Sequence, residues 1–232
     1  MAINVDTVYR TVLLIINKEQ RGYLTPDEFN KTATQVQLEI FNEYFEDLNQ
    51  QLRVPENDSE YANRVKNLQE KIEIFQTDGV CTPISDYYTT PNPTNFYKLG
   101  TVIYKDDKIV QYVQPNELLE LNLSPLTKPS LYWPVYTYKN GQIHIYPKTI
   151  TGNVISCTYI RKPLDPVWNF TLGTNYQYVY NSTTSVDFEL HPIEQTNLIT
   201  RILLYSGIVI KDPQIIQIAA QQAQAENINS KS

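Results

Sequence analysis

The chain has 232 residues with a net charge of −6, enough length for one large or two small domains. Hydrophobic residues make up 41% of the sequence and aromatic residues 12%, so a sizeable core can form. The acidic balance argues against a protein that wraps nucleic acid in a positive field, and no apolar run approaches the length of a membrane span. With 18 tyrosines and 7 glycines, the composition favours half-buried aromatic positions over a phosphate-binding glycine loop.

Amphipathic helices are predicted at the start of the chain, over residues 4–17, 25–50 and about 59–75, because apolar residues recur there at steps of three and four. The second of these helices begins with a capping box, in which Thr25 is the N-cap and Glu28 completes the box. Its apolar stripe is wide, which predicts packing against more than one neighbour. The stripe consists of Phe29, Ala33, Val36, Ile40, Tyr44 and Leu48, widened by Leu38, Phe41 and Phe45.

The turn between the first two helices also admits a calcium-binding interpretation. If Asn17 is position 1 of an EF-hand loop, Gly22 falls on position 6 and Glu28 on position 12. Arg21 would then place a positive charge where the ion needs an oxygen ligand, and the sequence contains no second such loop. The helix boundary explains the same residues better, and an EF-hand-like calcium-binding interaction module remains the alternative.

From residue 79 to about 190 the sequence is rich in Tyr, Thr, Val, Ile and Pro, a composition typical of β-structure with loops. The clearest hairpin joins two alternating strands through Asn140-Gly141, which is a type I′ turn signal. The other predicted elements are a hairpin over 101–113, a short helix over 115–121, a strand over 150–159, and strands over 176–180 and 186–190 that pair with each other.

The chain returns to helix at Pro192, and Gly207 is predicted to end or bend this helix. Asp212-Pro213 then starts a last helix that is rich in Ala and Gln and carries few charges. A lone helix of this length is marginal in water, so we expect it to dock on a partner surface. Its candidate interface residues are Ile215, Ile216, Ile218, Ala219 and Gln222.

These elements predict an α+β fold with three parts. The N-terminal helical part spans residues 1–78, the inserted and mainly antiparallel β domain spans 79–190, and the C-terminal helices span 191–232. We expect the N- and C-terminal helices to form one helical layer.

No catalytic constellation is evident in the sequence. His144 alternates with apolar residues in a predicted strand, and His191 precedes a proline at a predicted helix start. Cys81 and Cys157 lack metal-ligand spacing, and two free thiols are favoured over a disulfide. We therefore expect no enzyme activity, no cofactor and no metal ion.

One further stretch, residues 159–168, runs from a strand into two prolines and a tryptophan. The structural interpretation is a rigid strand exit in which Trp168 fills the core. The functional alternative is an interaction edge, in which Arg161 or Lys162 pairs with an acidic neighbouring chain. Arg161, Lys162 and Trp168 are therefore candidate interface residues as well.

Three segments carry a resemblance to a known family. They read INVDTVYRTVLLIINKEQRGYLTPDEFN near the start, YIRKPLDPVW in the middle, and VDFELHPIEQTNLITRILLYSGIVIKDPQIIQIAAQQAQAEN towards the end. The sequence resembles virion structural proteins of short-tailed bacteriophages, in particular the tail ring or adaptor proteins of crAss-like phages. The resemblance covers roughly residues 1–50 and 155–228.

The resemblance implies a ring-forming head-to-tail connector that links the portal to the tail in the virion. Such adaptors assemble as homo-oligomeric closed rings, often of twelve copies, beneath the portal, and a C-terminal helix docks on the portal or an adjacent tail ring protein. DNA passes through the lumen during ejection without sequence-specific binding. The chain would be made in the host cytoplasm and located at the head-tail junction of the virion, with no membrane partner.

Overall fold

The computed structural model describes residues 2–17, 23–53 and 59–210, together with Gln221 and Gln224. The chain divides into two compact units, one formed by Met1–Ile74 with Pro163–Ser232 and the other by Phe75–Lys162. We call the first the helical unit and the second the β unit. The predicted α+β fold with an inserted, mostly antiparallel sheet is confirmed.

The helices are α1 (Val5–Asn17), α2 (Pro26–Arg53), α3 (Ser59–Glu73), α4 (Pro115–Leu123) and α5 (Gln195–Ile210), with a 3-10 turn at Pro192–Glu194. The strands are β1 (Gln76–Val80), β2 (Thr82–Ile84), β3 (Tyr87–Thr89), β4 (Phe96–Tyr104), β5 (Lys108–Tyr112), β6 (Val135–Lys139), β7 (Gln142–Tyr146), β8 (Ile155–Arg161), β9 (Phe170–Leu172) and β10 (Tyr178–Tyr180). The β unit contains α4 and β1–β8, and the remaining elements belong to the helical unit.

In the helical unit, α2 packs against both α3 and α5, and α1 packs against α5. The apolar stripe of α2 is wide because it faces more than one helix, as its spacing predicted. Described helices that precede and follow the β unit in the sequence therefore pack together. The fully buried large side chains at its centre include Phe29, Phe41, Leu198 and Ile202.

The predicted capping box at the start of α2 is present. The backbone N–H and the hydroxyl of Thr25 both donate to Oε2 of Glu28, at 3.0 and 2.7 Å, and the backbone N–H of Glu28 donates to Oγ1 of Thr25 at 3.3 Å. These hydrogen bonds lower the pKa of the Glu28 carboxyl. The N–H of Glu28 in the first helical turn and the N–H of Thr25 thus both obtain side-chain partners.

The β unit is built on an eight-stranded sheet in the order β1-β8-β4-β5-β6-β7-β3-β2. Neighbouring strands are antiparallel except β5 and β6, which are parallel because α4 connects them. The two edge strands, β1 and β2, are consecutive in the sequence with Cys81 alone between them. The sheet therefore curls until its two ends meet at one corner, around a core that includes Val102, Ile143 and Ile155.

The boundaries between the two units in the structure differ from the boundaries predicted from the sequence. The β unit ends at Lys162 rather than at 190, so residues 163–190 belong with the helices. The backbones of Ile3 and Phe188 exchange two hydrogen bonds, and Asp187 accepts one from the N–H of Val5 at 2.9 Å. These contacts join segments that are far apart in sequence, which no local pattern reveals.

Two predictions about individual elements are wrong. Residues 176–180 and 186–190 do not pair: β10 pairs with β9, and Val186 forms a bridge with Val167. Gly207 does not end the helix, since α5 continues to Ile210, and the alternative that it bends the helix stays a prediction. Glycine costs about 1 kcal/mol in a helix interior, and the packing of α5 on α1 and α2 outweighs this cost.

Candidate interaction surfaces

An exposed apolar surface covers α4 and the segment that follows it in the β unit. We call it the α4 surface and define it by Leu119, Leu123, Leu126, Tyr132 and Trp133. Leu126 is 94% exposed and Trp133 is 80% exposed. Burying a large side chain is worth about 1.5–3 kcal/mol, so several of them left in water together indicate a binding surface.

The orientation of α4 follows from its own sequence. Pro115 occupies the first helical position, and the N–H of Gln114 donates to Oε2 of Glu117 at 2.9 Å across the helix start. Leu118 is buried against Val113 and Val135. Leu119 and Leu123 lie one turn apart on another face of the helix and point into solvent. The helix has more leucines than its buried face can accept.

The segment after α4 is held in place by polar contacts and by two buried prolines, Pro129 and Pro134. The backbones of Ser130 and Trp133 exchange two hydrogen bonds, of 3.3 and 3.2 Å, which closes a turn. The hydroxyl of Thr127 donates to the carbonyl oxygen of Leu121 at 3.1 Å, which ties the segment back to α4. The exposed tryptophan is therefore presented on an ordered turn, which reduces the entropy lost on binding.

Charged side chains lie close to part of the α4 surface. The Lys108 ammonium lies 5.0 Å from the centre of the Tyr132 ring, and Glu117 and Glu120 line an adjoining groove of about 440 Å³. An aromatic centre with a charged margin is the usual composition of a protein–protein interface.

A second aromatic surface lies in the helical unit, where a groove of about 470 Å³ separates α1 from the β9–β10 hairpin. Burial raises the pKa of the Tyr9 and Tyr23 hydroxyls, so both remain neutral and able to donate hydrogen bonds. We call this surface the aromatic groove. Its lining consists of Tyr9, Arg10, Leu13, Tyr23, Trp168, Tyr176, Gln177, Tyr178 and Tyr180.

Trp168 forms the base of the aromatic groove and is 4% exposed. Its ring stacks on Phe170 and Tyr180 at 6.0 and 5.9 Å between centroids, so it fills the core as the structural interpretation predicted. Arg161 ends β8, and its Nη1 donates to the carbonyl oxygen of Lys162 at 3.4 Å. The boundary between the units falls directly after Lys162, which is exposed.

The remaining predicted interface residues lie outside the part of the chain that the structure describes. They are Ile215, Ile216, Ile218, Ala219 and Gln222. The central part of the predicted calcium loop, residues 18–22, also lies outside it. Glu28, the last ligand position of that loop, is described, and its carboxylate is engaged in the capping box.

A cavity of about 230 Å³ in the helical unit contains paired charges. Arg201 forms a bidentate ion pair with Glu43, at 2.7 and 2.6 Å, and Lys71 pairs with Glu194 at 2.5 Å. Because each cation is neutralised by a carboxylate, we interpret these groups as a structural network that joins α2 to α5 and α3 to the 3-10 turn. Among the described residues, no group of three or more His, Cys, Asp or Glu side chains could hold a metal ion.

The two histidines have local roles that agree with the sequence analysis. Nδ1 of His191 accepts a hydrogen bond from the N–H of Ile193 at 3.3 Å and so caps the 3-10 turn. His144 lies on β7 with its ring 5.8 Å from that of Tyr87. Within the described ranges, none of the helices has both the length and the apolar character that a membrane crossing requires.

The α4 surface was missed at the level of sequence. The available signal was a set of closely spaced leucines followed by Leu131-Tyr132-Trp133 between two prolines. Closely spaced apolar residues of this kind are equally consistent with a buried core. Their exposure follows from the fold and not from their spacing in the sequence. No protein-family model matches this chain, and no curated protein sequence matches it.

Proposed function

We propose that this chain is a structural subunit of a bacteriophage virion, namely a ring-forming head-to-tail connector that links portal to tail and encloses the DNA channel. The subunit acts through surfaces and not through a reaction. Its partners are further copies of itself, in a closed ring of about twelve as is usual for such adaptors, together with the portal or an adjacent tail ring protein. The sequence resemblance is the first support for this proposal.

The α4 surface is the observation that carries the proposal. Interface hot spots are enriched in tryptophan and tyrosine, and this surface presents both, beside three leucines, on an ordered turn. Exposed apolar side chains of this kind carry a solubility cost for a monomer, which assembly would remove.

A closed ring also needs two different surfaces on each subunit, because a heterologous interface joins one patch to a second patch on the next copy. The α4 surface and the aromatic groove differ in chemistry: the former projects leucines and a tryptophan, and the latter is a concave set of tyrosine rings. Both are consistent with a subunit that contacts two neighbours.

The charge of the chain is consistent with a DNA channel that does not grip its contents. Binding to the phosphate backbone depends on clustered Lys and Arg, which release counterions from DNA. This chain has 19 basic and 25 acidic residues. A net charge of −6 favours passage of DNA over retention.

Assembly of the purified chain tests the proposal. We expect the recombinant protein to form closed rings, visible by negative-stain electron microscopy and resolved as one high mass by native mass spectrometry. The substitution pair Leu126→Asp and Trp133→Ala should shift the population to monomers, because it places a charge in the α4 surface and removes the aromatic anchor.

Ile193→Asp is the matched control, since Ile193 in the 3-10 turn is 71% exposed and receives the same charge outside both the α4 surface and the aromatic groove. This variant should assemble like the wild type. A wild-type chain that stays monomeric both alone and with virion partners, or that is absent from purified particles, contradicts the proposal. If both variants lose assembly equally, the α4 surface has no specific role in the proposed ring.

A further inference from the structure

The two cysteines of the chain lie side by side in the core of the β unit. Their Sγ atoms are 3.3 Å apart, and both residues are fully buried as free thiols. Cys157 belongs to β8, and Cys81 occupies the corner where the two ends of the sheet meet. The N–H of Cys81 donates to the carbonyl oxygen of Ile155 at 2.9 Å, which places Cys81 beside β8.

This arrangement is close to the geometry of a disulfide. A sulfur–sulfur bond measures about 2.05 Å, so the two atoms need to approach by roughly 1.2 Å. Cys157 is paired with Gly79, and Cys81 bonds to Ile155, so the two cysteines are diagonal neighbours across the adjacent backbone segments. Side-chain rotation together with a small backbone adjustment can therefore form the bond without a change of fold.

The sulfurs can be reached through the edge of the sheet. β1 is an edge strand, and β8 is its neighbour within the sheet. Edge strands open locally at a lower free energy than central strands, and the opening of β1 would uncover the Cys81 corner.

We propose that Cys81 and Cys157 form a reversible intramolecular disulfide when the protein meets a low-molecular-weight disulfide such as oxidised glutathione. The Cys81 thiolate attacks one sulfur of oxidised glutathione, which forms a mixed disulfide and releases one glutathione thiolate. The Cys157 thiolate then attacks the Cys81 sulfur and releases the second. Two protons pass from the protein thiols to the two glutathione thiolates, and two electrons pass from the cysteine pair to the oxidant.

The electrostatics of the pair favour this order of events. The Cys81 thiol donates a hydrogen bond to Sγ of Cys157, and contact between the two groups lowers the pKa of the Cys81 thiol and, together with burial, raises that of the Cys157 thiol. Cys81 directly follows the edge strand β1, so local opening of that edge exposes its sulfur first, and Cys81 is the first nucleophile.

The disulfide would join the corner of the sheet to β8 and so close the sheet covalently. Because a cross-link that spans a long loop restricts the unfolded chain, we expect the Tm of the oxidised protein to rise by about 5 °C or more. A connector assembled in a reducing cytoplasm would acquire this bond after release of the particle, a consequence that rests on the proposed function. The formation of the bond itself does not depend on that function.

The test uses the folded full-length chain. Reduced protein is incubated with oxidised glutathione without denaturant, blocked with an alkylating agent in denaturant, and measured by intact mass spectrometry and peptide mapping. We expect loss of both alkylation sites, a linked peptide pair containing Cys81 and Cys157, and full reversal by dithiothreitol.

Cys157→Ala is the control, and it should yield a glutathione adduct or a free thiol with no internal bond and no rise in Tm. Peptide mapping of the wild type keeps the test valid if this variant folds poorly. The proposal is overturned if the folded wild type keeps two alkylatable thiols, forms disulfide-linked dimers, or oxidises only after unfolding. Failure to assemble into rings would leave this result untouched.

Discussion

The indole Nε1 of Trp168 donates a hydrogen bond to Oδ1 of Asp6 at 3.0 Å and so joins residues 162 positions apart in the sequence. The backbone N–H of Trp168 donates to Oδ1 of Asn30 at 2.8 Å, and its ring lies 4.3 Å from that of Tyr9 between centroids. One tryptophan therefore links the segment after β8 to both α1 and α2 within the helical unit.

Replacement of Trp168 by alanine should lower the free energy of unfolding by about 3–5 kcal/mol, because it opens a cavity and removes one hydrogen-bond donor to Asp6. Urea denaturation followed by circular dichroism measures this loss. Trp133→Ala is the matched control. Trp133 is the other tryptophan of the chain and is exposed, so its replacement should leave the stability of the monomer nearly unchanged. Similar losses in the two variants would contradict the assignment of Trp168 to the core.

The ion pair between Arg201 and Glu43 should respond unequally to removal of its two partners. The Arg201 side chain is 11% exposed and that of Glu43 is 38% exposed. Glu43→Ala leaves a buried guanidinium without its carboxylate and should cost about 2–4 kcal/mol. Arg201→Met leaves a carboxylate that water can reach and should cost less.

Thermal denaturation at neutral pH ranks these variants against Lys31→Ala, which breaks the exposed Lys31–Asp27 pair on α2. We expect this control to have the same Tm as the wild type, because ion pairs between exposed charges contribute little to stability. If Arg201→Met proves the more harmful of the two partner variants, the inferred role of burial is wrong.

The capping box predicts a specific loss of stability in acid. Its hydrogen bonds lower the pKa of Glu28 from the ordinary value of 4.5. A carboxyl whose pKa is lower in the folded protein than in the unfolded chain stabilises the fold above the unfolded pKa, and this contribution is lost as the pH falls through the folded pKa. We therefore expect the stability of the wild type to fall below about pH 4.5 more steeply than that of Glu28→Gln.

Melting temperatures of both proteins, measured from pH 7 to pH 3, test this expectation. Thr25→Ala removes the partner hydroxyl and should cost about 1 kcal/mol at pH 7. Parallel pH profiles for the wild type and Glu28→Gln would show that the capping box does not stabilise the fold.

The EF-hand alternative is tested by a calcium titration of the wild type in a calorimeter. Binding heat would support a calcium site, and its absence would exclude one.

Gly100 allows close contact between β4 and β8. A Cβ atom at this position would lie 2.9 Å from the carbonyl oxygen of Thr158, which is backbone and cannot turn aside. Gly100→Ala should therefore destabilise the β unit by about 1–3 kcal/mol. Gly141→Ala, whose Cβ meets nothing within 4 Å, is a control for steric crowding; its cost comes from a φ of +74° alone.

Urea midpoints of the two glycine variants separate crowding from backbone strain. Tolerance of alanine at Gly100 would mean that β4 moves away from β8 without loss, and it would contradict the close contact between these strands.

Much of the local structure could be predicted from the sequence. The three-and-four spacing of apolar residues located α1 and α2, and Thr25 with Glu28 marked the start of α2. Asn140-Gly141 identified the hairpin of β6 and β7, in which both residues have positive φ. These features depend on residues that lie only a few positions apart, so the local sequence is sufficient to predict them.

Features that depend on contacts between residues far apart in the sequence were determined only by the tertiary structure. Residues 163–190 read as β-structure, but Trp168, Asp187 and Phe188 bind them to α1 and α2. The leucine spacing of α4 did not show which face would be buried; the β unit buries Leu118 and leaves Leu119 and Leu123 in solvent. Two cysteines 76 positions apart became neighbours because the sheet curls. Local free-energy preferences determine the elements, whereas the face that each element buries depends on which partners the whole chain brings to it.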